Sequence, residues 1–248
     1  MQSFEWSSMS PTRKRYFIRL IGRCLILLGC AAMCVWAPQQ FDILYGWRFF
    51  ESFSILHLLW LLWVLDMLEQ LFPIRQHVPI GSQKLFRQHF RPLGQKINKQ
   101  ALKQYIVSTS KASYGVLILW TALISMIGVL YFHKILNRTA LFMITAAFYV
   151  CDLICVLIWC PFRLLMRTRC CTTCRIFNWD HLMMFTPMLF VDSFFSWSLL
   201  GMSIVVWILW ECCVLLFPER FWEQTNAALQ CSQCTDKLCT QYCRKLRN

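Results

Sequence analysis

Acidic residues are scarce in this chain of 248 residues, where twelve Asp plus Glu stand against 25 Lys plus Arg. Charge of either sign is thin, at 15% of residues, while 58% are hydrophobic and 16% aromatic, which excludes an ordinary soluble domain. Twenty Phe and twelve Trp exclude an intrinsically disordered chain, and eight Gly with eight Pro exclude collagenous and low-complexity classes. No glycine-rich dinucleotide fingerprint, P-loop or hydrolase triad is present, so an enzyme is disfavoured. The short alternating strands of a transmembrane barrel are lacking too. Uninterrupted apolar stretches long enough for helices are present instead, and the class they imply is an all-α polytopic membrane protein.

The clearest span covers residues 114–132, which carry no ionisable charge at neutral pH and match the roughly 20 residues a helix needs to cross the hydrocarbon. The first span covers residues 16–37, with Arg19 and Arg23 near its start, placed to snorkel, and Pro38 at its end. Pro73 stops the second, over residues 49–72, and Pro161 stops the fourth, over residues 139–160. Residues 182–217 are too long for one ordinary span and barely long enough for two. Thr186 and Pro187 interrupt them and Asp192 with Ser193 offers a polar turn, so the pattern predicts a short, partly inserted helix over residues 180–191 and a returning span over residues 194–217. The expected bundle has five full spans plus that short helix.

Basic residues near helix ends are retained on the cytoplasmic face. They cluster at Arg13, Lys14 and Arg15, through the loop at residues 73–113, and at Arg163, Arg167, Arg169 and Arg175. The expected organisation in a plasma membrane is therefore a cytoplasmic amino-terminal segment (1–15), a first transmembrane hairpin (16–72), a basic cytoplasmic loop (73–113), a second hairpin (114–160), a cytoplasmic Cys-containing loop (161–181), the short helix with its returning span (182–217), and a cytoplasmic Cys-rich tail (218–248). Both termini are cytoplasmic in this scheme. Within the basic loop, Ile97, Ala101, Leu102, Tyr105 and Ile106 recur at helical spacing opposite Lys96, Lys99 and Lys103, which predicts an interfacial helix on anionic lipid headgroups, with a membrane-protein partner as the alternative. The net charge of +13 is spread over loops that topology already requires to be positive, so nucleic acid is disfavoured. The sequon Asn137-Arg138-Thr139 abuts a helix start with little room for a glycan and reads as chance.

The fifteen cysteines fall into two populations. Cys24, Cys30, Cys34, Cys151, Cys155, Cys160, Cys212 and Cys213 lie in or at the edges of spans, where a thiol packs as a small hydrophobe. The others occupy polar flanks and contain two C-x-x-C steps, Cys171 to Cys174 and Cys231 to Cys234, each able to offer two thiolates to one ion. Together they predict a four-Cys metal site on the cytoplasmic face, with Cys170, Cys239, Cys243 and His181 as reserve ligands. A zinc ion is the expected occupant and an iron–sulfur cluster the alternative. The tail pattern from Cys231 to Cys243 resembles a zinc knuckle, although Cys239 stands where that family has His and the last gap is one residue shorter. It also resembles a ferredoxin cluster run with a longer middle gap and no following Pro.

Ionisable residues inside spans are functional candidates by default. His57, Asp66, Glu69 and Asp152 are these candidates; Asp66 and Glu69 read as an interfacial ion-paired couple next to Arg75, and Asp152 with His57 as a proton or cation path or as protonated packing groups. The expected function is a non-catalytic membrane assembly or interaction factor whose metal holds tail and loop together. The alternatives are a membrane iron–sulfur electron-transfer protein and a small proton- or cation-coupled transporter.

Overall fold

The computed structural model describes residues 9–72, 85–94, 98–166, 174–230 and 232. It is helical, and among the described residues the only extended pairings are two isolated bridges. Among the described residues seven α-helices follow one another: α1 (Pro11–Trp36), α2 (Leu56–Leu71), α3 (Lys99–Phe132), α4 (Arg138–Leu157), α5 (Phe162–Met166), α6 (Asp180–Phe185) and α7 (Phe194–Leu216). Four of them, α1, α3, α4 and α7, are long and apolar enough to cross a membrane. Their outer faces carry large apolar side chains, such as Ile18, Ile21, Leu25 and Leu28 along one stripe of α1. Bare apolar stripes of that extent are compatible with an integral membrane protein.

Local chemistry sets the helix ends. Ser10, Asn98, Asn137 and Ser193 each accept a first-turn backbone N–H, and Pro38 and Pro218 begin 3-10 turns just beyond α1 and α7. Asn137 of the chance sequon thus has a structural use, taking the Ala140 N–H at 2.7 Å.

Two elements depart from expectation. The second helix was expected over residues 49–72, but α2 has 16 residues, about 24 Å, because residues 48–50 form a 3-10 turn and Ser54 is drawn into hydrogen bonds with Gln40 and His57. The basic segment was expected to make its own interfacial helix, yet α3 runs unbroken for 34 residues, about 51 Å. Its first turns extend past a roughly 30 Å hydrocarbon layer. Their apolar side meets protein, with Tyr105 stacked on Trp222 at 5.5 Å.

One end of the bundle gathers the start of α1, the ends of α2, α4 and α7 and the start of α3, and is called here the basic end. From it α6 descends beside α2, from Asp180 at Gln70 past Phe185 at Trp63, and Pro187 turns the path into a 3-10 helix over Thr186–Phe190. The segment reaches the opposite end, where Gly46 donates to the Asp192 carbonyl at 2.9 Å and accepts from the Phe194 N–H at 2.9 Å. The chain reverses at Asp192 and Ser193 in extended backbone bridged to Gly46, and Ser193 caps α7. Such irregular backbone is stable at depth only when protein surrounds it, and α6 with its 3-10 extension packs on α3, α4 and α7.

Candidate functional site

Arg19 and Arg23, placed by sequence to snorkel to the headgroups, stand one turn apart on α1 and both meet acids of neighbouring helices. Arg23 is buried. Its Nη1 donates to Asp152 Oδ2 at 2.7 Å and to the Tyr149 carbonyl at 2.7 Å, its Nη2 lies 3.6 Å from Asp66 Oδ2, and its guanidinium covers the Tyr149 ring at 3.8 Å. The Tyr149 hydroxyl donates to Asp66 Oδ2 at 2.7 Å. Arg19, half-exposed, donates to both Glu69 oxygens at 3.0 and 3.2 Å. Three predicted residues, Asp66, Glu69 and Asp152, are thus brought together on the arginines of α1. Arg75, the expected neighbour of Asp66 and Glu69, lies outside the described residues.

Next to this network, Gln70 Nε2 donates to both Asp180 oxygens at 2.9 Å, and the His181 backbone and Nδ1 approach Asp180 Oδ1 at 2.7 and 3.0 Å. Asp180 and His181 lie outside the four span-length helices. Burial alone discharges such groups, but His181 and Gln70 hold the Asp180 carboxyl below its ordinary range. Against the same burial, Asp180 holds the His181 imidazole above its ordinary value, helped by Asp66 and Asp152. His181, a reserve metal ligand by sequence, is engaged with a carboxylate.

A second clasp was not anticipated. Arg175, buried at the start of the turn before α6, donates through Nε to Glu211 Oε1 at 3.1 Å, through Nη2 to Glu211 Oε2, and through Nη1 to Ser110 Oγ at 2.7 Å. The Trp179 indole donates to Glu211 Oε1 at 2.7 Å. Glu211 is the one acid in α7, and its isolation within an apolar helix is the sequence signal that could have marked it.

These groups back a crevice of about 230 Å³ at the basic end. Trp120, Phe148, Phe162 and Phe177 supply aromatic walls, Asp152 and Asp180 face it, and Cys151, Cys155, Cys160 and Cys174 all line it. The crevice exists because α4 packs on α1 and α6 while α3 packs on α5 and the 3-10 helix; Trp120 and Phe148, 5.1 Å apart, bridge the gap. The nine described cysteines carry no disulfide.

Of the predicted metal ligands, Cys174 is buried at 5% exposure, whereas Cys171, Cys231, Cys234, Cys170, Cys239 and Cys243 lie outside the described residues. Cys174 also faces a second, smaller cavity of about 20 Å³ together with Tyr105, Pro218 and Phe221, the last two from the chain that follows α7. That chain is tied down at the basic end: Tyr105 donates to the Phe221 carbonyl at 3.3 Å, the Ala227 N–H donates to the Arg91 carbonyl at 2.8 Å, and Asn226 is wholly buried. Among the described residues, no three or more His, Cys, Asp or Glu are grouped to hold a metal ion.

His57 is not brought to Asp152. It sits at the opposite end, where the Nε2–H tautomer donates to the Phe49 carbonyl at 2.8 Å and Nδ1 accepts the Ser54 N–H at 3.0 Å. Between the two lies a dry layer of Trp63, Phe142, Phe185 and Phe195, each fully buried. Comparison with known protein families, with curated proteins and with solved structures yields no match to this chain.

Proposed function

We propose that this protein is a non-catalytic integral membrane assembly or interaction factor that works from its basic end, where a metal ion bound by Cys171, Cys174, Cys231 and Cys234 staples the tail to the segment after α4. The basic end faces the cytoplasm of a plasma membrane in this proposal, because Lys and Arg flanking helix ends are retained there. The observation that carries it is the small cavity shared by Cys174, Pro218 and Phe221, in which one ligand and the chain leading to the tail meet. In a reducing compartment four thiolates favour a tetrahedral zinc ion over disulfides. The exposed lysines at the start of α3 then meet anionic headgroups, since the apolar side of that segment is occupied by Trp222. A transport role has less support, because the aromatic layer separates Asp152 from His57.

Elemental analysis of the detergent-purified protein tests the proposal. One zinc per chain in a colourless sample is expected, and Cys174→Ser combined with Cys231→Ser should abolish it. Iron with acid-labile sulfide would replace the staple by an electron-transfer cluster. Metal-free protein in which an external, membrane-impermeant thiol label reaches Cys234 overturns both.

A further inference from the structure

Six sulfur-bearing side chains line the crevice: Cys151, Cys155 and Cys160 at the end of α4, Cys174 before α6, and Met183 and Met184 on α6. The Cys155 and Cys160 thiols lie within hydrogen-bonding reach of each other. The backbone makes that pairing possible. Ile158 and Trp159 both donate to the Ile154 carbonyl as the helix ends, and the chain then turns at Pro161, which swings Cys160 back toward the last turn of α4.

Charge does not decide the occupant: Asp66, Asp152 and Asp180 are balanced by Arg23, Arg163 and a protonated His181, so the donor set of the crevice sets its preference. A structural zinc ion takes four ligands, and no described group of three or more such donors is assembled. A soft monovalent ion needs only two sulfurs, and thiolate with thioether is the donor set that selects it over hard cations. Cys155 lies 17 residues along α4, about 26 Å from its start, which puts the pair where hydrocarbon gives way to headgroups on the basic side.

We propose that Cys155 and Cys160 form a two-thiolate binding site for a soft monovalent cation of the copper(I) class, with Met183 and Met184 as thioether neighbours. Binding breaks two S–H bonds, forms two metal–sulfur bonds and releases two protons to water; no electron changes hands. The pair uses none of the four cysteines of the tail staple, although Cys174 lines the same crevice.

The test is an anaerobic titration of the full-length, detergent-purified protein with copper(I) against a chromogenic competitor, with thiol alkylation read by intact and peptide mass. One tightly held ion per chain is expected, with Cys155 and Cys160 protected from alkylation. Cys155→Ser and Cys160→Ser should each weaken binding by about a hundredfold or more. Cys212→Ser, and a variant with Cys171, Cys231 and Cys234 all changed to Ser, should retain the ion; unfolding curves of the metal-free variants check that serine preserves the fold. Unchanged affinity in both single variants overturns the proposal. So does loss of the ion in the threefold variant alone, which would assign it to the staple, and so does protection that arises without metal and is reversed by reductant, which would mean a disulfide.

Discussion

The two halves of the bundle are held by different forces. At the basic end, Arg23 and Arg175 each clasp a carboxylate from another helix and take further bonds to a backbone carbonyl or a hydroxyl. At the opposite end, rings touch rings: Phe49 lies 4.5 to 5.2 Å from Phe50, His57, Trp60 and Phe194, and polar ties run to backbone groups, at Gly46, from Ser54 to the Gln40 carbonyl and from Arg138 to the Leu44 carbonyl. Lipid tails are as apolar as leucine, so helices in a bilayer gain nothing merely by hiding oil from water. Ring packing with backbone hydrogen bonds holds one half, and buried carboxylate–guanidinium clasps between helices hold the other. The clasped half also keeps a crevice, because a clasp fixes helices at a distance without filling the space between them.

The comparison predicts unequal costs. Arg23→Met should have the largest effect, about 3 to 5 kcal/mol in detergent unfolding, because it leaves the carboxylates of Asp66 and Asp152 buried without their cation. Adding Asp66→Asn and Asp152→Asn should recover much of the loss. If Arg23→Met costs under about 1 kcal/mol, the network is not what joins α1 to α4. Glu211→Gln comes next, at about 2 kcal/mol, because the amide still accepts from Trp179 but no longer neutralises the buried Arg175.

In the aromatic half the sensitive position has no side chain. A Cβ on Gly128 would press into the Phe190 ring, so Gly128→Ala should cost about 1 to 3 kcal/mol through overpacking. Phe190→Leu should relieve it. A neutral Gly128→Ala would mean that the opposite half is looser than its ring contacts imply.

The Asp180–His181 pair makes the basic half sensitive to pH. His181 is held above its ordinary value of 6.5, so its contribution is complete below that pH and is lost as pH rises through the raised value. Asp180 is held below 3.8, so its contribution is present above that pH and is lost as pH falls through the lowered value. The stability difference between wild type and His181→Gln should therefore shrink on the alkaline side. A difference independent of pH from 5 to about 9 would show that folding leaves the imidazole unshifted, and one that grows as pH rises from 5 would show that it is neutral in the folded protein.

Much of the helical plan was legible in the sequence, because proline stops, Asn and Ser caps and long apolar runs are local signals. The Thr186-Pro187 break and the Asp192-Ser193 turn were readable for the same reason. The shortness of α2 was not, since Phe49, Phe50 and Phe53 are as apolar as a span and only the hydrogen bonds of Ser54 show that the helix starts later. Nor could the charged network be assembled from one dimension. Asp152 was flagged as a buried acid, but its partner is 129 residues away, and Arg23 at a span end looks like any snorkelling arginine until the packing of α1 on α4 is known. Cys151, Cys155 and Cys160 read as small hydrophobes singly and Cys174 as half of a C-x-x-C step, and only the fold places the four around one cavity.

The smallest effect is expected at Arg19, and it sharpens the comparison within a single helix. Arg19 and Arg23 share a face of α1 and each meets an acid of α2, yet the Arg19 side chain is 44% exposed and that of Arg23 only 11%. Water already solvates the first guanidinium in the unpaired state, so its bond to Glu69 replaces hydration at little gain, whereas the second has no solvent to return to. A double-mutant cycle with Arg19→Met and Glu69→Gln should give a coupling under about 1 kcal/mol that fades with added salt. A coupling as large as that of Arg23 with Asp152 would mean that the bilayer or the tail covers Arg19, and the boundary between the clasped half and its watery surroundings would then have to be drawn one helical turn farther out.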